Sequence, residues 1–404
     1  MSSTTNSSNG SIISMTTRPQ KLIVLIALFL LCMGAIALSN YGWRQSVLFL
    51  IGGLLGVTLY HSSFGFTSAY RKLLVNHDVQ GMYAQLVMLA IATILFAPIL
   101  GSGSIFGQEV RGALAPVGVQ GAIGALLFGI GMQLGGACGC GTLYTIGGGS
   151  LAMLLTLITF CIGAFGASLT RQLWSTLPAS SPISLGQTIG WIPAVLLQLI
   201  TFLLLVKILQ WWSRKKVINS DKLQFNFLNL NHRKSSFIYG PWSLFTGAVA
   251  LAVLNWLTLI ISGQPWRITW GFALWAAQIA TWLGWNSTSS PFWNSGAGKQ
   301  ALSQSLLADV SSVMNIGIVL GAVLAAALAG KLVPKFSPSV GAIALTLIGG
   351  LIMGYGAFLG YGCNVSAFFG GIASTSLHGW VWIFCALVGT AIGLRLRSLF
   401  QLTK

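Results

Sequence analysis

Apolar runs of roughly 17–25 residues, the length that spans a bilayer as helix, follow one another from end to end of the chain. Eleven can be read, starting near Leu22, Val47, Met82, Val117, Ser150, Ile189, Ser243, Thr269, Val313, Val340 and Gly379. The lipid bilayer is therefore the first partner the pattern implies. Two of the runs lead into glycine-rich stretches that carry cysteine. One is Gly135-Gly136-Ala137-Cys138-Gly139-Cys140-Gly141-Thr142, the other Gly360-Tyr361-Gly362-Cys363-Asn364-Val365-Ser366. Irregular backbone at membrane depth survives only where protein buries it or water lines it. Both stretches are thus candidate sites on a transport path.

The runs fall into two halves that resemble each other. Asp78-Val79 opens the third run and Asp309-Val310 precedes the ninth, and each Asp suits a helix N-cap. One cysteine stretch follows the fourth run and the other the tenth. Phe160-Cys161 and Phe384-Cys385 then fall at similar places in the fifth and eleventh. The halves read as 21–212 and 239–404, joined by a polar linker over 213–238. A tail over 1–20, rich in Ser, Thr and Asn, has the composition of a disordered segment.

Charge sets the orientation. The linker carries Arg214, Lys215, Lys216, Lys222, Arg233 and Lys234 against one acid, Asp221, and the C-terminal tail carries Arg395, Arg397 and Lys404. Both belong on the cytoplasmic side. Five runs lie between them, so one must fail to cross. Thr269–Trp285 fits, because it runs into Asn286-Ser287-Thr288-Ser289-Ser290-Pro291, which breaks a helix. In the first half, the second run is interrupted by glycines and ends in His61-Ser62-Ser63-Phe64-Gly65-Phe66-Thr67. It is expected to enter and return, which keeps Arg44, Arg71 and Lys72 inside. The expected fold class is an all-α polytopic membrane protein of about nine crossings, N-terminus outside. Its two halves form an inverted repeat with re-entrant or broken helices.

Composition agrees. Charged residues make up only 6% of the 404 positions, where a soluble protein carries about a quarter. The net charge of +17 does not point to nucleic acid, because the basic residues sit in short loops with no face that could track phosphates. It follows the positive-inside rule and adds a field that favours anions. The six cysteines lack the spacing of a disulfide framework, and no His lies near Cys138 or Cys363 in sequence to complete a zinc site. No metal or cofactor is expected. Gly298-Lys299-Gln300 fails the Walker pattern, so no ATPase reading stands.

Three stretches carry a resemblance to a known family. They are Ser63-Phe64-Gly65-Phe66-Thr67-Ser68-Ala69-Tyr70-Arg71, then Gly136-Ala137-Cys138-Gly139-Cys140-Gly141-Thr142-Leu143-Tyr144, then Gly360-Tyr361-Gly362-Cys363-Asn364. Together they resemble the bacterial and archaeal sulfur-transport membrane family of the YeeE/YedE type, from about Val47 to Leu394. The resemblance implies an hourglass path with paired re-entrant pieces, uptake of thiosulfate, and pore cysteines that contact it. The family's second and third cysteine positions carry over to Cys138 and Cys363. Where a first cysteine usually stands, this chain has Gly65, and Cys140 is an additional thiol. A cytosolic sulfur-carrier protein is a partner the resemblance suggests, and the cell (inner or plasma) membrane the location.

The residue types suit a soft anion. A full positive charge in a pore would hold it too tightly for passage, and neither cysteine stretch contains Lys or Arg. A neutral thiol is a weak donor compatible with sulfur. Backbone N–H groups around Gly139, Gly141 and Gly362 can face an anion, and Thr142, Asn364 and Ser366 can add side-chain donors. Weak sites in series allow entry and exit. The leading expectation is a permease for thiosulfate or a similar sulfur-containing anion, not an enzyme. The alternatives are a transporter of sulfite, sulfide or a selenium compound, or a membrane sulfurtransferase that forms a persulfide on Cys138, Cys140 or Cys363. Cys161 and Cys385, in apolar runs, read as packing residues.

Overall fold

The computed structural model describes residues 18–216, 237–336 and 339–399. Most of the expected tail and linker lies outside the described residues. The first half consists of α1 (Lys21–Leu38), α2 (Trp43–Ser62), α3 (Phe66–Asn76), α4 (Gln80–Ser102), α5 (Val119–Gly135), α6 (Gly139–Gly147), α7 (Ala152–Trp174), α8 (Leu185–Ile189) and α9 (Trp191–Lys216). The second consists of α10 (Leu244–Ser262), α11 (Thr269–Trp282), α12 (Gly296–Ser303), α13 (Val310–Leu328), α14 (Val340–Leu359), a π-helical turn (Asn364–Phe369), α15 (Gly370–Ala373) and α16 (Leu377–Leu399). The one described sheet is a two-stranded ribbon after α4, pairing Ser104–Ile105 with Gln108–Glu109.

Side chains start the second-half helices where the sequence provides a cap. Ser243 accepts from the Thr246 N–H at the head of α10, and Asp309 accepts from the Ser312 N–H at 2.7 Å at the head of α13. Asp78 instead lies one residue before the N-cap Val79 and accepts from the N–H of Gln80, the first residue of α4.

The inverted repeat is visible in the packing. Helices α2, α3, α4, α5, α6 and α7 correspond in order to α10, α11, α13, α14, the π turn with α15, and α16. Helix α2 packs on α13 and α4 on α10, while α7 packs on α14 and α5 on α16. Exchanging the halves maps each of these contacts onto its partner. The matched pair α5 and α14 also meet, in opposite senses: Gly124 lies against Gly360 and Gly131 against Met353. Lipid supplies no hydrophobic drive between helices, so close backbone approach at small residues does the holding. Gly52 and Gly56 of α2 sit on the backbone of Met314 and Ile318, and Gly321 of α13 sits on the Gly53 carbonyl.

Among the described residues, ten helical stretches are long and apolar enough to cross a membrane, one more than charge alone suggested. The difference lies in the second run. Its glycines are no interruption; they are the packing face of α2, which is continuous over 20 residues. Arg44 therefore stands at the end of α2 away from Arg71. The neighbours Tyr41 and Gln45 donate to the Ser305 hydroxyl and the Ala308 carbonyl. Gln20, at the head of α1, donates its N–H to Ala327 near the end of α13, so the N-terminal end joins the linker side instead of the far side. Helix α11, with 14 residues, is not among the crossing stretches, as its polar continuation implied.

Candidate functional site

Three chain breaks share one local geometry. Helix α2 ends on Ser63 in the left-handed region (φ 48°), Phe64 follows, and extended Gly65 caps α3. Helix α5 ends on left-handed Gly136 (φ 85°), Ala137 follows, and extended Cys138 caps α6. After α14, left-handed Tyr361 (φ 61°) precedes Gly362, and extended Cys363 caps the π turn. Gly65, Cys138 and Cys363 are thus equivalent positions: each is the N-cap of a short helix that starts inside the protein. Gly362 has to be glycine, because at φ 149° an added Cβ would strike the Ser366 hydroxyl.

The short helices converge. A Cβ placed on Gly139 would lie 3.7 Å from the Cys363 sulfur and 3.5 Å from Ile268, the N-cap of α11. One placed on Gly65 would lie 3.5 Å from the Tyr144 hydroxyl of α6. Cys138 and Cys140 face each other with their sulfurs 3.4 Å apart, and Gly141 backs onto the Cys138 sulfur. All three thiols are 1% exposed. Around Cys363, the Ser366 Oγ accepts from the Cys363 N–H at 3.0 Å and lies 3.7 Å from its sulfur. Asn364 is held by the Tyr70 hydroxyl, which donates to its Oδ1 at 3.1 Å, and donates in turn to the Met132 sulfur. Thr142 is turned away from this role: its hydroxyl donates to the Cys138 carbonyl at 2.9 Å.

Other members come from α3. Thr67 and Asn364 face the Cys138 thiol, and the buried Thr67 Oγ1 holds no hydrogen bond within the protein. Tyr70 is fully buried within electrostatic range of all three thiols. Further along α3, Arg71 Nε donates to Gln133 Oε1 at 3.2 Å, Gln133 Nε2 donates to the Thr67 carbonyl, and Arg397 donates to the Gln133 carbonyl. Thr67, Tyr70 and Arg71 lie within the first of the three family-like stretches, but sequence gives no sign that they meet Asn364 and Cys138. Among the described residues, no three His, Cys, Asp or Glu side chains are arranged to hold a metal ion.

Tyr70→Phe tests this wiring. It removes the donor to Asn364 Oδ1 and leaves a buried acceptor unpaired, a cost of about 1 kcal/mol or more. If the chain transports an anion as its sequence leads us to expect, uptake should fall roughly fivefold at equal expression, the ratio that about 1 kcal/mol gives. An unchanged rate would show that the orientation of Asn364 does not matter.

On the side away from the linker, a cavity of about 380 Å³ reaches this cluster, with Gly362 and Ser366 in its wall. Arg171, Arg267, Thr269 and His378 also line it. Burial lowers the pKa of Arg267, and the nearby charge of Asp309 partly offsets this. Burial likewise pushes the Asp309 carboxyl up, opposed by its bonds from Ser312 and Trp270. In the wall of a neighbouring cavity of about 610 Å³, Arg111 donates twice to Glu109 at 2.8 Å and holds that carboxyl below its ordinary range.

Known proteins are similar to this chain in sequence. A family model described as "Sulphur transport" matches residues 61–392. The thiosulfate transporter TsuA of Spirochaeta thermophila is 25% identical over 354 residues, covering 82% of this chain and 92% of the relative. The thiosulfate transporter TsuA of Escherichia coli is 24% identical over 358 residues, 84% of this chain and 91% of the relative. A protein of Escherichia coli named "Probable transporter YedE" is 28% identical over 162 residues, 40% of this chain and 39% of its own length.

Proposed function

The chain belongs to the sulphur transport family, and from that membership we propose that it imports thiosulfate or a closely similar sulfur-containing anion past the thiols of Cys138, Cys140 and Cys363. The observation that carries this reading is the convergence of α3, α6, α11 and the π turn, all beginning at one buried place with thiols at two of their caps. Helix N-termini present unpaired N–H groups and a partial positive charge, which favours an anion without fixing it. The thiols add weak donors matched to soft sulfur. Thr67 and Ser366 supply hydroxyls beside Cys138 and Cys363.

Magnitude favours passage over storage. Four or five contacts at about 1 kcal/mol each give about 4–5 kcal/mol, which corresponds to affinity near 1 mM. A guanidinium at the thiols would bind several kcal/mol tighter and slow release. The arginines lie instead on either side: Arg171 and Arg267 toward the outer cavity, Arg71 and Arg397 toward the linker side. In this reading the linker side is the cytoplasm, the membrane is the inner or plasma membrane, and a cytosolic sulfur-carrier protein takes up the product there.

Growth separates the choices. A host lacking its own thiosulfate and sulfate uptake, expressing this chain, is expected to grow on thiosulfate as sole sulfur source. Growth supported on sulfite or sulfide but not thiosulfate would overturn the substrate assignment.

Gly65 sets the fit at the third cap. Its extended backbone (φ −128°, ψ 120°) suits any residue, and the nearest atom to an added Cβ is the rotatable Ser68 hydroxyl. Gly65→Cys is therefore expected to fold and to restore a thiol at that cap. One more weak donor of about 0.6 kcal/mol should raise preference for thiosulfate over sulfate roughly threefold in competition uptake. An unchanged preference would place position 65 off the path.

A further inference from the structure

Three cavities on the face away from the linker meet at one side chain. Arg267, in the bend between α10 and α11, lines all three, of about 320, 380 and 610 Å³. Protein surrounds its guanidinium on most sides, yet the residue stays exposed, which is the condition of a cation on the floor of a vestibule. No carboxylate pairs with it: the ion pair among the described residues joins Arg111 to Glu109. The acid whose field reaches it is Asp309, and both oxygens of that carboxylate are occupied, one by the Trp270 Nε1–H at 3.0 Å and one by the Ser312 N–H at 2.7 Å. Arg171, whose guanidinium lies 5.1 Å from the Phe292 ring centre, shares the middle cavity with Arg267. That cavity ends at Gly362 and Ser366, which flank Cys363.

We propose that Arg267 is the centre of an outer binding site for doubly charged sulfur oxyanions, captured from solution and delivered through the middle cavity, past Arg171, to the Cys363 end of the thiol path. The delivery rests on the transport reading; the binding does not. A guanidinium offers a planar fork of donors that matches two oxygens of a tetrahedral oxyanion. A full charge is useful here because the bound anion is still in contact with water and can leave forward or back. Asp309 tempers it. Held in place by Trp270 and Ser312, it offsets part of the positive charge without closing onto Arg267. Cavities walled by protein also focus the field of such a cation and raise the local anion concentration.

Calorimetric titration of the purified full-length protein in detergent tests the site, with thiosulfate and sulfate as probes. Arg267→Gln is expected to weaken both by about tenfold, the loss of roughly 1.4 kcal/mol of charged hydrogen bonding. Arg267→Lys should recover part of this. Lys299→Gln removes the same charge from α12, beside the cavities but outside their walls, and should change affinity less than about twofold. In uptake, the loss in Arg267→Gln should fall on the half-saturating concentration more than on the maximal rate. Unchanged affinity in Arg267→Gln, or equal weakening in Lys299→Gln, would overturn the site, the latter by reducing it to a diffuse field. If Arg267→Gln does not fold, Arg267→Lys carries the test, with full wild-type affinity for both anions counting against the planar fork. Arg267-dependent binding in a wild-type protein that carries no thiosulfate would uphold the site and sink the transport reading.

Discussion

Replacing Cys138 or Cys363 with alanine is expected to cut uptake of thiosulfate at least tenfold while the protein stays folded. Each thiol caps a short helix in the same backbone break, and each is buried against the residues that would meet the anion. Alanine keeps the extended backbone and removes a small, buried volume, so the fold should lose little. What it removes is the sulfur: for Cys138, the atom that pairs with Cys140 and that Thr67 and Asn364 face, and for Cys363 the atom beside Ser366. Loss of two or more weak contacts at about 1 kcal/mol each suffices for the tenfold effect. Cys161→Ala and Cys385→Ala, on α7 and α16, should stay within about twofold, as packing changes at partly buried positions do. If that second pair proved the damaging one in vesicle uptake at matched expression, the path would lie elsewhere.

A glycine far from the thiols should matter as much to the yield of folded protein. A side chain at Gly321 would enter the Gly53 carbonyl across the α2–α13 contact, and backbone cannot rotate aside as a side-chain tip can. Overpacking in general costs about 1–3 kcal/mol, and a leucine forced against backbone belongs at or above the top of that range. Gly321→Leu is therefore expected to lose most of the monodisperse protein recovered on size exclusion and to lower the unfolding temperature of what remains. Gly166→Ala, where nothing lies within 4 Å of an added Cβ, should be indistinguishable from wild type. A normal Gly321→Leu protein would show that α2 and α13 do not pack as described.

Much of this was legible in the chain itself. Run length and the scarcity of charge gave the helical membrane class. The matched Cys138 and Cys363 stretches and the Asp78 and Asp309 positions gave the repeat. The glycines of α2 misled, because glycine reads as interruption in a sequence, whereas in lipid it is the residue on which helices lie closest. That single ambiguity moved Arg44 to the other face and changed the crossing count. Thr142 was legible as a polar residue in the right stretch but not as one that spends its hydroxyl on the Cys138 carbonyl. Thr67 and Tyr70 could not be assigned, because their partners lie far away in sequence: the Tyr70 hydroxyl reaches Asn364 across 294 positions. The family resemblance placed Gly65 beside the two cysteine positions, but that all three are extended caps of short helices rests on dihedral angles, which no spacing rule reports.

In the proposed function, a sulfur anion crosses the membrane past unreacted thiols. Radiolabelled thiosulfate uptake into liposomes that contain only the purified protein, down an imposed gradient, tests it most directly. Saturable uptake well above that of protein-free liposomes is the predicted result, with Cys138, Cys140 and Cys363 recovered as unmodified thiols by intact-protein mass spectrometry. Uptake no greater than in protein-free liposomes, or sulfur left as a persulfide on one of the three cysteines, would contradict it.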